Sequence, residues 1–205
     1  MYKLPYFTEE NDQSVYDFIK KNSFAIIIGS DGNFPTATHV PLDIQEHEGE
    51  KIFTGHMMKN TDHHRAFAQN ENVLVIFNGP HCYVSANWYE KKNVASTWNY
   101  IDVHAKGKIK FTDEEQTKII IKNITDKYEG PESQAAFDKL PKEYVERLVK
   151  AIVGFTIEVS DIDNVFKLSQ NHDHSTREKI ISNLKSRNDE DSHSIAGEME
   201  KRTKA

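Results

Sequence analysis

Apolar positions along this chain follow two rhythms, one of strand length and one of helical spacing. Residues 23–29 contain Phe24-Ala25-Ile26-Ile27-Ile28, a continuous and largely β-branched run that predicts a strand buried on both faces. Residues 72–78 predict a second buried strand, which Gly79-Pro80 is expected to break before Tyr83-Val84-Ser85 resumes. Elsewhere the pattern alternates. Residues 35–44 set Thr36, Thr38 and Val40 on one face and Ala37 and His39 on the other, and residues 97–109 set Trp98, Tyr100, Asp102 and His104 against Asn99, Ile101, Val103 and Ala105. Residues 52–57 read as the returning strand of a hairpin whose charged loop covers residues 46–51. Residues 151–159 predict another strand, followed after a loop by a short extended segment over residues 165–171. Gly107 marks a bulge or a close approach to the backbone.

The helical rhythm begins at Thr8, read as an N-cap followed by Glu9 and Glu10, with Val15, Phe18 and Ile19 on one face and an end near Asn22. Lys59-Asn60-Thr61-Asp62 opens a helix to about Gln69, with Asn60 or Thr61 as its cap. Further helices are expected over residues 113–127, 141–150 and 176–187. Residues 188–205 are charged and weakly patterned, either a short helix around Ile195–Met199 or a frayed polar tail. About six meandering strands interrupted by short helices predict a mainly β protein with helices, of α+β or barrel type. Hairpin-length connections disfavour a doubly wound parallel sheet.

Composition narrows the function classes. A length of 205 residues suffices for one substantial core, and 37% hydrophobic with 28% charged residues describes a soluble chain expected in the cytoplasm. No apolar run approaches a membrane span, and Met1-Tyr2-Lys3-Leu4-Pro5 lacks the apolar stretch of a signal peptide. The formal charge of −6 argues against a surface that wraps nucleic acid, so direct DNA binding is left open. Cys82 stands alone, which excludes an intrachain disulfide and reads as a small strand residue.

Candidate chemistry concentrates in residues 77–104, where Trp88, Trp98, Tyr83, Tyr89 and Tyr100 lie among Asn78, His81, Ser85, Asn99 and His104. Such amphipathic rings suit either the wall of a pocket for a flat, polar-edged ligand or an aromatic core with satisfied polar tips. Hydroxyls on one face of residues 35–44 and an imidazole on the other need partners on both, from a ligand or from solvent. The helix start at Lys59-Asn60, with Arg65 in reach, is either a phosphate cradle or a solvated terminus. His63 and His64 are adjacent and diverge on a helix, which disfavours a shared metal.

Thr36-Ala37-Thr38-His39-Val40-Pro41, Gly55-His56-Met57, Gly79-Pro80-His81-Cys82-Tyr83-Val84-Ser85, Trp88-Tyr89, Thr97-Trp98-Asn99-Tyr100, Val103-His104, Ile152-Val153-Gly154-Phe155 and Lys167-Leu168-Ser169-Gln170-Asn171 together resemble the PaiB family of FMN-binding negative transcriptional regulators. The resemblance covers roughly residues 1–187 and implies an FMN-binding split β-barrel with inserted and C-terminal helices, followed by the polar tail of residues 188–205. It also implies a homodimer with flavin sites at the interface. Carried over by position, Thr36, Thr38 and His39 would line the isoalloxazine, and His56, Met57, Lys59 and Asn60 would hold the phosphate end. Trp98 and Asn99 would close the site from the partner subunit, with Lys167 and Gln170 at its rim. Three positions depart from the family pattern. Lys59 and His172 stand where Arg is usual and Ser96 where Pro is usual, which puts tight flavin retention in question. The resemblance admits two other functions, a flavin-dependent oxidoreductase and, because some related split barrels handle haem, haem binding or degradation; the chain's ten histidines are compatible with either.

Overall fold

The computed structural model describes residues 1, 4–47, 49–91, 93–130 and 132–202. Its strands are β1 (Phe24–Ser30), β2 (Pro35–Pro41), β3 (Asp43–His47), β4 (Glu50–Met58), β5 (Asn72–Val84), β6 (Thr97–Phe111) and β7 (Ile152–Lys167). Its α-helices are α1 (Asp12–Lys21), α2 (Asp62–Gln69), α3 (Glu114–Glu129), α4 (Lys142–Ala151), α5 (His174–Lys185) and α6 (Glu190–Lys201). The strands form one seven-stranded sheet in the order β2-β1-β5-β6-β7-β4-β3.

Continuity of the chain forces this sheet to curl. β2 lies at one edge and β3 at the other, yet only Leu42 separates them. Pro41 has no N–H with which to continue a ladder, and the Leu42 N–H donates to the Ser23 carbonyl at 2.9 Å. The segment expected as one strand over residues 35–44 is therefore two strands that pair with β1 and with β4, both antiparallel. Bringing the two edges together removes the exposed edge groups that an open sheet would leave.

By their packing the residues form two compact units. The barrel unit comprises Asp17–Phe77 and His104–Ile162, and the terminal unit comprises Met1–Tyr16, Asn78–Val103 and the chain from Asp163 onward. The barrel core contains Ile27, Leu42, Phe53, Phe67, Phe77, Phe155 and Ile157, all fully buried. Phe53 and Phe77 meet edge to face with centroids 5.3 Å apart. α3 closes against this unit through Thr117, whose Oγ1 accepts the Gly154 N–H at 2.9 Å. In the terminal unit α5 and α6 pack on one another, burying Ile180, Leu184, Ile195, Ala196 and Met199.

Several boundaries differ from expectation. Thr8 does not open the first helix: residues Pro5–Phe7 form a 3-10 turn that the Thr8 N–H closes on the Pro5 carbonyl at 3.1 Å. Glu9 is engaged by Asn164 and Arg202, and the Asn11 side chain accepts the Ser14 N–H at 2.9 Å as the helix begins. Gly79-Pro80 does not interrupt β5. Proline's φ suits extended backbone, and the Asp102 carboxylate receives the Gly79 N–H. Of the extended segment expected over residues 165–171, residues 165–167 end β7 without an intervening loop and residues 168–171 turn. The C-terminal segment contains α6, with the Asp189 side chain accepting the Ser192 N–H at 2.7 Å. Residues 203–205 of the expected tail and residue 48 of the expected hairpin loop lie outside the described residues.

Gly107 carries the close approach that its place in a strand predicted, because a Cβ there would overlap the Glu158 carbonyl oxygen of β7. Gly107→Ala is expected to lower unfolding free energy by about 2 kcal/mol, within the usual range for overpacking a core. The check is a urea titration in which the midpoint falls while the slope is unchanged.

Candidate functional site

β1 and β2 set two different surfaces on their two faces. In their register Ala25, Ile27 and Gly29 pair with Val40, Thr38 and Thr36, and this face turns toward the core. Gly29 is needed there, since a Cβ would meet the Phe67 ring of α2 at 2.7 Å. On the opposite face Phe24, Ile26 and Ile28 pair with Pro41, His39 and Ala37. Of the three residues expected to line a flat ring, Thr36 and Thr38 thus share a face and His39 lies on the other, exposed and 6.2 Å from Phe24 between ring centroids.

β4 shows the same division. Met57 is buried opposite Val153, whereas His56 turns the other way beside Gly154. The His56 Nδ1 is buried without a hydrogen-bond partner, and burial lowers the pKa of its imidazole below the usual 6.5. The Thr36 hydroxyl is likewise buried without a partner. β2 touches β4, and α2 packs on both β1 and β2, so these two orphaned groups come from elements in mutual contact.

The β4–α2 connection is rich in donors. Asn60 adopts φ 64°, a conformation that asparagine tolerates, and this turns the chain into the helix. Thr61 is the cap, its Oγ1 accepting the His64 N–H at 3.3 Å, and the Asp62 carboxylate accepts the His63 N–H at 2.8 Å. Lys59 Nζ donates to the Val149 carbonyl at 3.3 Å and Arg65 donates to the Asn60 carbonyl at 2.6 Å. Neither cation has a carboxylate in ion-pair contact among the described residues. Two cations satisfied only by carbonyls at the start of α2, a helix that packs on the strand carrying the orphaned Thr36 hydroxyl, suit a ligand with a polar ring and a phosphate.

The remaining candidates belong to the terminal unit. Trp98 is 53% exposed and stands with Tyr83 and His81, at centroid separations of 5.9 and 6.0 Å, as an aromatic platform. Asn99 faces the other way and is fully buried, its Oδ1 accepting from Ser169 Oγ at 3.1 Å and its Nδ2 donating to Met199 Sδ at 3.6 Å. Its amide is committed within the unit and offers nothing to a ligand. Gln170 is also self-contained: Oε1 accepts the Leu168 N–H at 2.7 Å and Nε2 donates to the Phe166 carbonyl, shaping the turn in which Ser169 adopts φ 61°. Lys167 Nζ donates to Thr97 Oγ1 and to the Trp98 carbonyl, each at 2.6 Å. Cys82 is buried, and its thiol is pushed up to about 11, chiefly by burial, which leaves it inert at neutral pH.

Sequence reasoning did not foresee the stacking of Tyr89 on His172 at 4.5 Å, because the two residues come together only through the fold. Nor did it foresee Asp102, whose Oδ1 is buried without a partner and whose pKa is raised by that burial. Alternation placed Asp102 on the right face but carried no signal of its depth.

This barrel with its helices is of the flavin-binding split-barrel class. It is similar to the flavocytochrome Anf3 from Azotobacter vinelandii, with a TM-score of 0.62 at 12% identity, covering 81% of this chain and 72% of that one. It is similar also to the FAD and heme binding protein from Mycobacterium smegmatis, with a TM-score of 0.61 at 12% identity over 85% and 79% of the two chains. Residues 1–161 match the family described as "Putative FMN-binding domain", and the chain belongs to that family. Over its full length it is 34% identical to the protease synthase and sporulation protein PAI 2 of Bacillus subtilis, across 205 residues that cover 100% of this chain and 99% of that protein. The PaiB resemblance therefore extends over the whole chain.

His56 gives the barrel unit a pH dependence of defined sign. Its folded pKa lies below the unfolded value of about 6.5, so the unfolded state binds more protons just below that pH and stability falls as pH drops through it. His64 and His172, also lowered by burial, act in the same direction. His56→Gln is expected to flatten the loss of stability between pH 7 and 5 without abolishing it, as read from denaturant midpoints across that range.

Proposed function

We propose that the protein binds FMN in the barrel unit and acts as a PaiB-type negative transcriptional regulator whose response depends on the bound flavin. The observation that carries the flavin reading is the orphaned buried hydroxyl of Thr36, on a strand against which α2, with its cation-rich start, packs. Thr36 and Thr38 would meet the ring's polar edge, and Lys59, Asn60 and Arg65 the phosphate, while His56 lies on the opposite face of the sheet. Met57 would support the site by packing beneath it. When bound, FMN supplies redox chemistry, while the chain binds and orients it and excludes water. A cytoplasmic location belongs to the same reading.

A second copy of the chain is the proposed partner. Phe24, Ile26 and Ile28 of β1 are continuous in register with Leu74 and Ile76 of β5, and all five are left exposed or half-buried while the opposite face is fully buried. Sequence hydropathy predicts burial on both faces of these strands, and a twofold contact would supply the missing cover. His39, exposed on the same face of β2, is available to such a contact.

His56 supports flavin-dependent oxidoreduction as a second reading, since a neutral imidazole with a free ring nitrogen can exchange a proton with a bound ligand. NAD(P)H consumption by the FMN-loaded protein distinguishes this reading from a purely regulatory role.

Desalted protein is expected to retain FMN bands in its visible spectrum, with Thr36→Val and Lys59→Met each weakening affinity by about tenfold. Unchanged affinity in both variants would remove the site from the barrel unit. In light scattering the wild type is expected at twice the chain mass, and Ile26→Glu at the mass of one chain. A wild type already monomeric overturns the dimer.

A further inference from the structure

The terminal unit contains hydrogen-bond donors that are only partly satisfied. Lys167 is half-buried, and two of its three N–H bonds are used, on Thr97 Oγ1 and the Trp98 carbonyl. Its Nζ also lies 5.6 Å from the centroid of the Phe7 ring. No carboxylate is in ion-pair contact with it among the described residues. Tyr89 is 5% exposed, and its hydroxyl is buried without a hydrogen-bond partner. Its ring meets that of His172 at a tilt with centroids 4.5 Å apart; burial lowers the His172 pKa, the Asp173 carboxylate opposes that, and the Lys167 ammonium adds a smaller lowering.

The neighbouring carboxylates are committed elsewhere. Asp173 caps α5, accepting the Thr176 N–H at 2.8 Å and the Thr176 hydroxyl at 3.1 Å. Glu90 accepts from Lys179 at 2.8 Å and from Ser175 at 2.6 Å. A half-buried ammonium without a counter-ion and a buried hydroxyl without an acceptor are each costly, and His172, in contact with the Tyr89 ring and within electrostatic reach of Lys167, links the two.

We propose that Lys167, Tyr89 and His172 form a receptor for an oxyanion, the carboxylate or phosphate group of a small ligand. An oxyanion has several lone pairs and a delocalised negative charge. It can accept from the third Lys167 N–H, from the Tyr89 hydroxyl and from a His172 ring N–H together, which no neutral carbonyl does as well. Burial lowers the pKa of the Lys167 ammonium, and a bound anion would raise it again. The Lys167 bond to the Trp98 carbonyl ties occupancy of the receptor to the residue carrying the exposed indole. The proposal does not rest on flavin binding in the barrel unit.

The test uses full-length Trp88→Phe protein, in which Trp98 is the only indole, titrated at constant ionic strength with inorganic phosphate and separately with acetate. A saturable change in Trp98 fluorescence is expected with at least one of them and not with chloride. Lys167→Met should weaken it by about tenfold, and Tyr89→Phe and His172→Asn by several-fold each. Lys167→Arg should retain binding. Tyr89→Phe removes one oxygen and keeps the stack, so it remains informative even if Lys167→Met disturbs Trp98. An absent or chloride-like response, or unchanged affinity in both Lys167→Met and Tyr89→Phe, overturns the receptor. Comparing FMN with riboflavin separates the sources of the anion. If Lys167→Met weakens FMN but not riboflavin while Lys59→Met leaves both unchanged, the occupant is the phosphate of a flavin held in the terminal unit instead of the barrel unit. If phosphate still binds to FMN-loaded protein with its affinity unchanged, the occupant is a separate ligand. Both results support oxyanion recognition, and both are distinct from loss of the barrel site, which Thr36→Val and Lys59→Met report.

Discussion

One residue, Leu42, joins the two edges of a seven-stranded sheet, and that constraint shapes everything in the barrel unit. A chain advancing by about 3.3 Å per residue cannot cross an open sheet of this width in a single step. The sheet must curl until β2 and β3 are neighbours in space, and its buried face then becomes the lining of a barrel filled by Phe53, Phe77, Phe155 and their neighbours. Curling also fixes which polar groups are trapped. Thr36 and His56 lie on strands brought into contact by closure, and their unpartnered atoms follow from it.

Most buried polar groups elsewhere are satisfied, which gives those two atoms their meaning. Thr117 serves Gly154, Asn99 is held by Ser169 and Met199, and Gln170 closes the turn after β7 on its own backbone. These are structural roles, and two of them fall on residues that family position alone would assign to a ligand. Among the described residues the unpartnered Thr36, His56 and Tyr89 atoms, with Asp102 Oδ1 and Arg177 Nε, are exceptions, because native interiors leave few polar groups unpaired. Surface ion pairs such as Lys110 with Glu158 and Lys106 with Asp161 tie β6 to β7 but contribute little to stability in exposed positions. The half-buried Glu9–Arg202–Glu198 group instead fastens the N-terminal segment to the end of α6.

Much of this was legible in the sequence. Alternation along residues 97–109 correctly divides buried Asn99, Ile101 and Val103 from the outward Trp98, Tyr100 and Asp102, since the two-residue period of a strand depends only on backbone geometry. The Thr61 cap is a local signal with a local cause, and the glycine at position 107 signalled a close approach whose partner, Glu158 of β7, is distant in sequence. The family resemblance was legible in ordered blocks between Thr36 and Asn171. Tertiary structure alone decided that Gly79-Pro80 continues a strand, since proline's φ is compatible with extended backbone and its neighbours in the sheet are not encoded locally. It alone showed that the Phe24, Ile26 and Ile28 face is half-open within one chain, since a run of β-branched residues does not reveal whether its second face is covered by the same chain or another. And it alone brought Tyr89 to His172 and Lys167 to Trp98, contacts set by strand order and helix packing, which no local pattern of residues encodes.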